Sequence, residues 1–466
     1  MDHVRPIETR PAEVAEPPAG AGSGLLAVSD NREAFAVRVM AAREARSTLD
    51  LMYYIWRDDH CGRLLMKEVV AAADRGVRVR LLIDDINPAQ SDANYLAANC
   101  HPNIELRLFN PSGLRRRGLL RGLELLVRMR AMNRRMHCKA WIADNRLAIV
   151  GGRNIGDEYF DAAETNFRDI DLLMTGDVAR QATEVFEAYW AYEGVWPITA
   201  LNPARPGKKL ELPASTMDTE MALGETRSIA AYLAAKGPLQ WTDKARLIAD
   251  PPEKAANRKA GNWMMRQVGQ IIGDAGESVE IVSPYFVPGR EGVAIFDSLS
   301  KRGVQTSVVT NSLAATDVAA VHGGYANYRR RLLRRGVKLY EFQRSADAPK
   351  MSVFGSKGAS LHTKAFLVDK LHGFVGSLNF DPRSAALNTE MGVLFEDREL
   401  AQALGALFER DRSPDSSYSL KLRRGRIRWE GRNDGAVKRY HSEPEAGLQR
   451  RLIAFIVRWL PMESQL

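Results

Sequence analysis

The sequence predicts an α/β chain of two α/β/α repeats, each with a mostly parallel sheet, and a site at the interface between the repeats. Three observations carry that expectation. An eight-residue stretch occurs twice, His137–Asp144 (HCKAWIAD) and His362–Asp369 (HTKAFLVD), and both copies read H-x-K-x-x-x-x-D. The copies are offset by 225 residues, from 137 to 362, and the same offset holds for the glycine turns that follow, Gly151-Gly152-Arg153-Asn154 and Gly376-Ser377-Leu378-Asn379. Helical and strand-like patterns also alternate in the same order in both halves, as βαβ units do.

Met1 to Gly24 is rich in Pro, Ala, Glu and Gly without an apolar segment, so a disordered tail is expected and a signal peptide is not. The first repeat spans about 25–200. Asn31-Arg32-Glu33 opens a helical pattern through Phe35, Val37, Val39 and Met40, and a strand follows from Leu49 to Trp56. A helix from about Gly62 to Asp74 leads through Arg75-Gly76 into a strand from Val77 to Ile83. Residues 201–262 read as a proline-rich connector with a helical piece at Ile229 to Ala235. The second repeat, 263–410, returns to the same order: helix Trp263 to Asp274, strand Val279 to Val287, helix Val293 to Arg302, strand Val304 to Thr310. Tyr54 corresponds to Tyr285 and Gly76 to Gly303, at offsets of 231 and 227, so loops of different length surround a common unit. Residues 411–466 form a basic extension. In it Arg423 to Trp429 reads as an edge strand, a phosphate-facing arm or a solvated charge run, and Leu448 to Leu460 as an amphipathic helix.

The spacing inside the repeated stretch limits its chemistry. In a strand, His and Lys two apart share a face, so each copy presents an imidazole beside a positive charge. Asp144 and Asp369 fall where the strand turns back into a second apolar run, and the spacing leaves a structural and a chemical role equally open. Two imidazoles, two lysines and two asparagines brought together make a compact cationic pocket with one nucleophile and one proton donor. Such a set suits phosphodiester chemistry and calls for no metal or other cofactor.

The paired motifs and their glycine-asparagine turns resemble the phospholipase D superfamily. Leu51–Trp56 (LMYYIW), Gly151–Asp157 (GGRNIGD) and Thr310–Asp317 (TNSLAATD) are similar to bacterial cardiolipin synthases of the class without N-terminal transmembrane helices. The resemblance implies a phosphatidyltransferase that takes a phosphatidyl group from phosphatidylglycerol or phosphatidylethanolamine and passes it through a phosphohistidine to phosphatidylglycerol. It implies a catalytic set of His137, Lys139, Asp144, His362, Lys364 and Asp369, with His137 as nucleophile and His362 as acid, then base. Asn154 and Asn379 would join the lysines in binding phosphate, and Asp169 and Glu390 would orient the imidazoles. His322 sits in a family-like stretch with a structural reading as well. Hydrolysis of phospholipids, a nuclease and a non-catalytic lipid-binding module stand as alternatives.

With 45% hydrophobic and 26% charged residues the composition is that of a globular chain, and its net charge of +9 favours anionic partners. No separate nucleic-acid-binding motif appears, so acidic lipid is expected in preference to nucleic acid. Cys61, Cys100 and Cys138 are an odd number with no C-x-x-C pair, so neither a disulfide framework nor a zinc site is indicated, and alternation turns Cys138 away from the His-Lys face into the core. Arg115–Arg135 and Leu448–Leu460 interleave arginine with apolar residues, a pattern that either lies on anionic lipid or covers the core. No run of about 18 apolar residues occurs, so no spanning helix is expected. The expected location is the cytoplasmic side of the cell membrane, held peripherally, with an accessory protein left open.

Overall fold

The computed structural model describes residues 18, 22–86, 88–111, 134–201, 210–215, 217–256, 263–344, 358–433 and 436–459. The expected arginine-leucine segment before the first motif lies outside them apart from Arg134 and Arg135. So does the expected N-terminal tail, except Pro18 and Gly22–Gly24, where Ser23 and Gly24 already belong to the first strand.

Ten strands precede residue 243: β1 (Ser23–Val28), β2 (Thr48–Tyr53), β3 (Arg78–Asp84), β4 (Ile104–Phe109), β5 (Ala140–Ala143), β6 (Leu147–Gly151), β7 (Thr165–Arg168), β8 (Asp171–Gly176), β9 (Val195–Pro197) and β10 (Gln240–Thr242). All but β7 form one sheet in the order β10-β1-β8-β6-β5-β2-β3-β4-β9. The second half supplies β11 (Ala245–Ala249), β12 (Ser278–Val282), β13 (Gln305–Asn311), β14 (Lys338–Phe342), β15 (Gly358–Leu361), β16 (Ala365–Val368), β17 (His372–Gly376), β18 (Met391–Glu396), β19 (Ser417–Arg423), β20 (Arg426–Asn433) and β21 (Ala436–Tyr440). Its sheet runs β11-β18-β17-β16-β12-β13-β14-β19-β20-β21, and β15 pairs instead with β7 of the first half.

The two α/β repeats are present, but the expected mostly parallel sheets are mixed. Within each sheet, parallel pairing joins β2-β3-β4 and β12-β13-β14, where a helix carries the chain back between strands. The motif strands follow another rule. Asp144 and Asn145 (φ 53° and 56°), like Asp369 and Lys370 (φ 53° and 52°), take the left-handed conformation at both central turn positions. The result is a type I′ turn that folds β5 directly onto β6 and β16 onto β17, antiparallel.

Three cores hold the layers. One lies outside the first sheet under helices Asn31–Glu44 and His60–Asp74, and another outside the second sheet under Met264–Gly273 and Gly289–Lys301. The middle core is shared: Ala140 and Ile142 of β5 meet Ala365 and Leu367 of β16 there, with helices Asp177–Trp190 and Arg398–Arg412. Cys138 is fully buried in this middle core, as alternation predicts. The connector is stapled to both halves, since β10 joins the first sheet and β11, three residues on, joins the second. Arg423–Trp429 is neither an edge strand nor a free arm, and Arg423, Arg424 and Arg426 are exposed as a solvated charge run would be. It turns through Arg424 and Gly425 (φ 48° and 72°) into a hairpin that extends the second sheet, and buried Trp429 donates Nε1–H to Glu341 at 2.8 Å. The helix Leu448–Trp459 leans on the helix Ala319–Ala326 at Gly323, where an added Cβ would lie 2.7 Å from the Ala454 carbonyl. Among the described residues no helix is long and apolar enough to cross a membrane.

Candidate active site

Each motif histidine is reached by backbone from the opposite repeat. The His137 N–H donates to the Thr389 carbonyl at 2.9 Å, and the His362 N–H donates to the Arg168 carbonyl at 2.8 Å. Thr389 and Arg168 are the residues immediately before Glu390 and Asp169. That pairing delivers each carboxylate to the other repeat's imidazole: Glu390 lies 2.8 Å from His137 Nδ1 and Asp169 lies 2.6 Å from His362 Nδ1. A carboxylate at Nδ1 fixes the proton there and turns the Nε2 lone pair outward. Lys364 Nζ also stands 2.9 Å from His362 Nδ1, but one ring nitrogen cannot donate to Asp169 and accept from an ammonium at once. The shorter contact with the carboxylate sets the tautomer, and the lysine is held by the His362 carbonyl. Lys139 likewise donates to the His137 carbonyl at 2.6 Å.

The half-sites differ around their carboxylates. At Gly152 an added Cβ would sit 2.5 Å from both Asp169 oxygens, so that turn requires glycine. Its counterpart Ser377 instead donates its hydroxyl to Glu390, and Ser384 adds a second hydroxyl at 2.7 Å. Burial pushes the Glu390 carboxyl up, but His137, Lys139 and Ser377 outweigh it and hold it below its ordinary range. Asp169 has fewer donors, and burial leaves it raised against the opposing charges of Lys364 and Arg153.

Burial in the pocket works against its own cations. Burial lowers His137 to about 4, Lys139 to about 7 and Lys364 to about 8. His362 falls well below the usual imidazole range through burial and the two neighbouring lysines. Aromatic rings wall both imidazoles: Tyr54 meets His137 edge-on at 5.0 Å between centroids, and Tyr159 and Phe167 meet His362 at 5.2 and 4.9 Å. Sequence reasoning did not single out Tyr159 or Phe167, although Tyr159 lies two residues past the Gly151–Asp157 stretch and Phe167 two before Asp169, because no spacing marks either as a wall of the site. Tyr54 had a signal in the Leu51–Trp56 stretch, but its expected match with Tyr285 fails: the registers of β2 and β12 are offset by 230, which puts Pro284 in the place of Tyr54 and Tyr285 in that of Ile55.

Asn154 and Asn379 are both buried. The Asn154 amide donates to the Tyr159 hydroxyl at 2.9 Å and accepts from the Ile55 N–H, whereas Asn379 Oδ1 has no hydrogen-bond partner among the described residues. Asp144 and Asp369, grouped with the catalytic residues by the motif, do other work. Asp144 accepts the backbone N–H groups of Arg46, Ser47 and Thr48, and Asp369 those of Gly276, Glu277 and Ser278. Both cap a loop entering a neighbouring strand at the far end of the motif hairpin, because the strand carries them five residues beyond the lysine. His322 is buried behind Asn311, with Nδ1 3.2 Å from its carbonyl.

Residues 39–190 and 268–412 match the family model described as cardiolipin synthase, phospholipase D-like domain. The chain belongs to that family. The two matched segments each contain one H-x-K-x-x-x-x-D motif and one cross-repeat carboxylate. Cardiolipin synthase C of Escherichia coli (strain K12) is 40% identical over 456 residues, covering 94% of this chain and 95% of that protein. An uncharacterized protein of Helicobacter pylori (strain ATCC 700392 / 26695) is 34% identical over 451 residues, 94% of this chain and 89% of its own. Phosphatidylserine synthase of Haemophilus influenzae Rd KW20 shares the fold, with a TM-score of 0.61 at 13% identity over 93% of this chain and 92% of that one. The cardiolipin synthase-like fold thus extends over both repeats.

Proposed function

We propose that the chain is a phosphatidyltransferase that makes cardiolipin, moving a phosphatidyl group onto phosphatidylglycerol through a histidine. The reciprocal histidine–carboxylate pairs carry this reading, because they leave two Nε2 atoms free in one buried pocket between two lysines. His137 Nε2 attacks the phosphorus, the bond from phosphorus to the headgroup oxygen breaks, and His362 gives that oxygen its proton. The acceptor hydroxyl then passes its proton to His362 as its oxygen attacks, and the phosphorus–nitrogen bond breaks. Glu390 suits His137 to the nucleophile's part, since an ionised carboxylate at Nδ1 stabilises the positive charge the ring carries once phosphorylated. Lys139, Lys364, Asn154 and Asn379 take the non-bridging oxygens. An anionic phosphodiester between these groups raises imidazoles and lysines alike, so the proton His362 donates is acquired as substrate binds.

Lipid reaches the pocket from a membrane surface in this account. The helix Leu448–Trp459 exposes Leu448, Leu452, Ile453, Phe455 and Ile456. Its arginines are engaged with the body of the protein: Arg450 donates to the Thr316 carbonyl at 2.5 Å, Arg451 to the Glu443 carbonyl at 2.6 Å and Arg458 to Asn327 at 2.9 Å. The contact with lipid therefore rests on the apolar face. That face supports peripheral attachment, and the cytoplasmic side of the cell membrane is part of the same proposal. Lipid products from phosphatidylglycerol vesicles, with and without phosphatidylethanolamine, test the proposal. Cardiolipin from the parent and none from His137→Ala or His362→Ala is expected, whereas phosphatidic acid alone means a hydrolase.

A further inference from the structure

The strand registers set β2 and β12 at an offset of 230, so Tyr54 answers to Pro284 and Tyr285 to Ile55, and the two tyrosines stand in different surroundings. On the His137 side, Tyr54 packs its ring on His137 and stands near the positive charges of Arg383 and Arg135. On the His362 side, the Tyr285 hydroxyl donates to the Asp317 carboxylate, 2.7 and 2.8 Å from its two oxygens, and Asp317 is open to solvent. The loop that bears Asp317 is built onto the motif strand. Asn311 clamps both the carbonyl and the N–H of Leu361, the residue before His362, at 2.8 and 2.9 Å. Between Asn311 and Asp317 the loop is buried and closed on itself, with Thr316 N–H donating to the Ser312 carbonyl at 2.9 Å and Arg450 holding Thr316 from outside. The carboxylate is near enough to His362, Lys364 and Tyr159 for its charge to act on all three.

A negative charge at the rim of a phosphate pocket disfavours phosphate, so its place in the reaction is beside the alcohol. We propose that Asp317, fixed by Tyr285, selects the headgroup alcohol on the His362 side. It accepts a hydrogen bond from a hydroxyl or ammonium on the carbon next to the one bearing the reacting oxygen. The 2-hydroxyl of a glycerol headgroup and the ammonium of ethanolamine both occupy that position, whereas an acid group there is repelled. The inference rests on the proposed transfer reaction and makes Asp317 a specificity residue for it. It also agrees with His362, rather than His137, handling the alcohol proton.

Competition between small alcohols tests it, because all of them partition one phosphohistidine and any change in its formation cancels from the product ratio. Phosphatidylglycerol vesicles are incubated with the full chain and equimolar ethanolamine, ethanol and glycolate, and phosphatidyl products are weighed by mass spectrometry. The parent is expected to favour ethanolamine over ethanol and to make least of the glycolate product. Asp317→Asn, which keeps an oxygen for the Tyr285 hydroxyl, should lower the ethanolamine-to-ethanol ratio by about tenfold, the loss of one charge-assisted contact. Asp317→Lys should favour glycolate over ethanolamine. Ratios within twofold of the parent's in both variants, or joint loss of all products in both, overturn the assignment. A parent that yields no phosphatidyl product with any alcohol refutes the reaction itself.

Discussion

Exchanging one carboxylate at a time for its amide should separate the two histidines by their chemistry. Glu390 accepts from three donors, His137 Nδ1–H at 2.8 Å and the Ser377 and Ser384 hydroxyls. A glutamine has one acceptor oxygen, so its NH2 must face at least one of those donors. Loss of the charge-assisted bond is worth about 1.5–3 kcal/mol, roughly 10- to 150-fold in rate. If the amide also drives His137 into the other tautomer, the loss rises to about 10⁴-fold, as carboxylate-to-amide exchange produces in a serine-protease triad. Asp169→Asn should cost a comparable factor with a natural phospholipid, since proton donation is worth about 10²–10⁴-fold. The assay compares release of an alkoxide headgroup with release of p-nitrophenolate from a phosphatidyl p-nitrophenyl ester, a leaving group that needs no proton. In the first-turnover burst, before the step that needs His362 as base, Asp169→Asn should recover to within about tenfold of the parent on the activated ester, because general acid catalysis no longer counts. Glu390→Gln should remain impaired, because attack by His137 is still required. Equal recovery of both variants would refute the division of labour, and recovery of Glu390→Gln alone would exchange the two roles.

Other predictions follow from the same geometry. For the free protein, kcat/KM should fall below about pH 4 as His137 protonates and loses its lone pair, and above about 7 to 8 as Lys139 and Lys364 lose charge; Lys139→Arg, which stays charged, should move the alkaline limb upward, and a profile flat to pH 9 contradicts the buried lysines. Asp144→Ala leaves three backbone N–H groups without their acceptor and should cost about 1–3 kcal/mol, visible as a lower Tm, with turnover per folded molecule retained. Replacing exposed Leu452 and Ile456 together by Asp should reduce co-sedimentation with phosphatidylglycerol vesicles at least tenfold, each buried side chain being worth about 1.5–3 kcal/mol; unchanged binding removes this helix from the membrane contact.

Much of the site was legible because its chemistry repeats. Two copies of one spacing mark His137, Lys139, His362 and Lys364, and the glycine-asparagine turns at a fixed offset mark Asn154 and Asn379. Glu390 and Asp169 came through family resemblance, since no spacing within a repeat tells that each crosses to the other. The crossing depends on backbone pairing between Arg168 and His362 and between Thr389 and His137, contacts more than 190 residues apart that leave no periodic trace. Motif membership misled at Asp144 and Asp369, where one carboxylate serves three N–H groups and a turn residue looks catalytic. Sheet direction was misread for a related reason: the alternation of strands and helices is real, but the I′ turns that reverse β5 and β16 are carried by two residues each, Asp144-Asn145 and Asp369-Lys370. The Tyr159 and Phe167 walls belong to the segment between motif and carboxylate, where an ordinary aromatic gives no hint that it packs on a histidine from the other half.

The central claim is that His137 carries the phosphatidyl group. His362→Ala, which can still form the adduct from a phosphatidyl p-nitrophenyl ester but lacks the base that activates the acceptor, should accumulate it. Peptide mass spectrometry of that variant after brief exposure should find a phosphatidyl adduct on the peptide that contains His137, and His137→Ala should give none. Adduct on the His362 peptide of the His137→Ala variant, or no histidine adduct in any variant that still makes cardiolipin, would contradict the account.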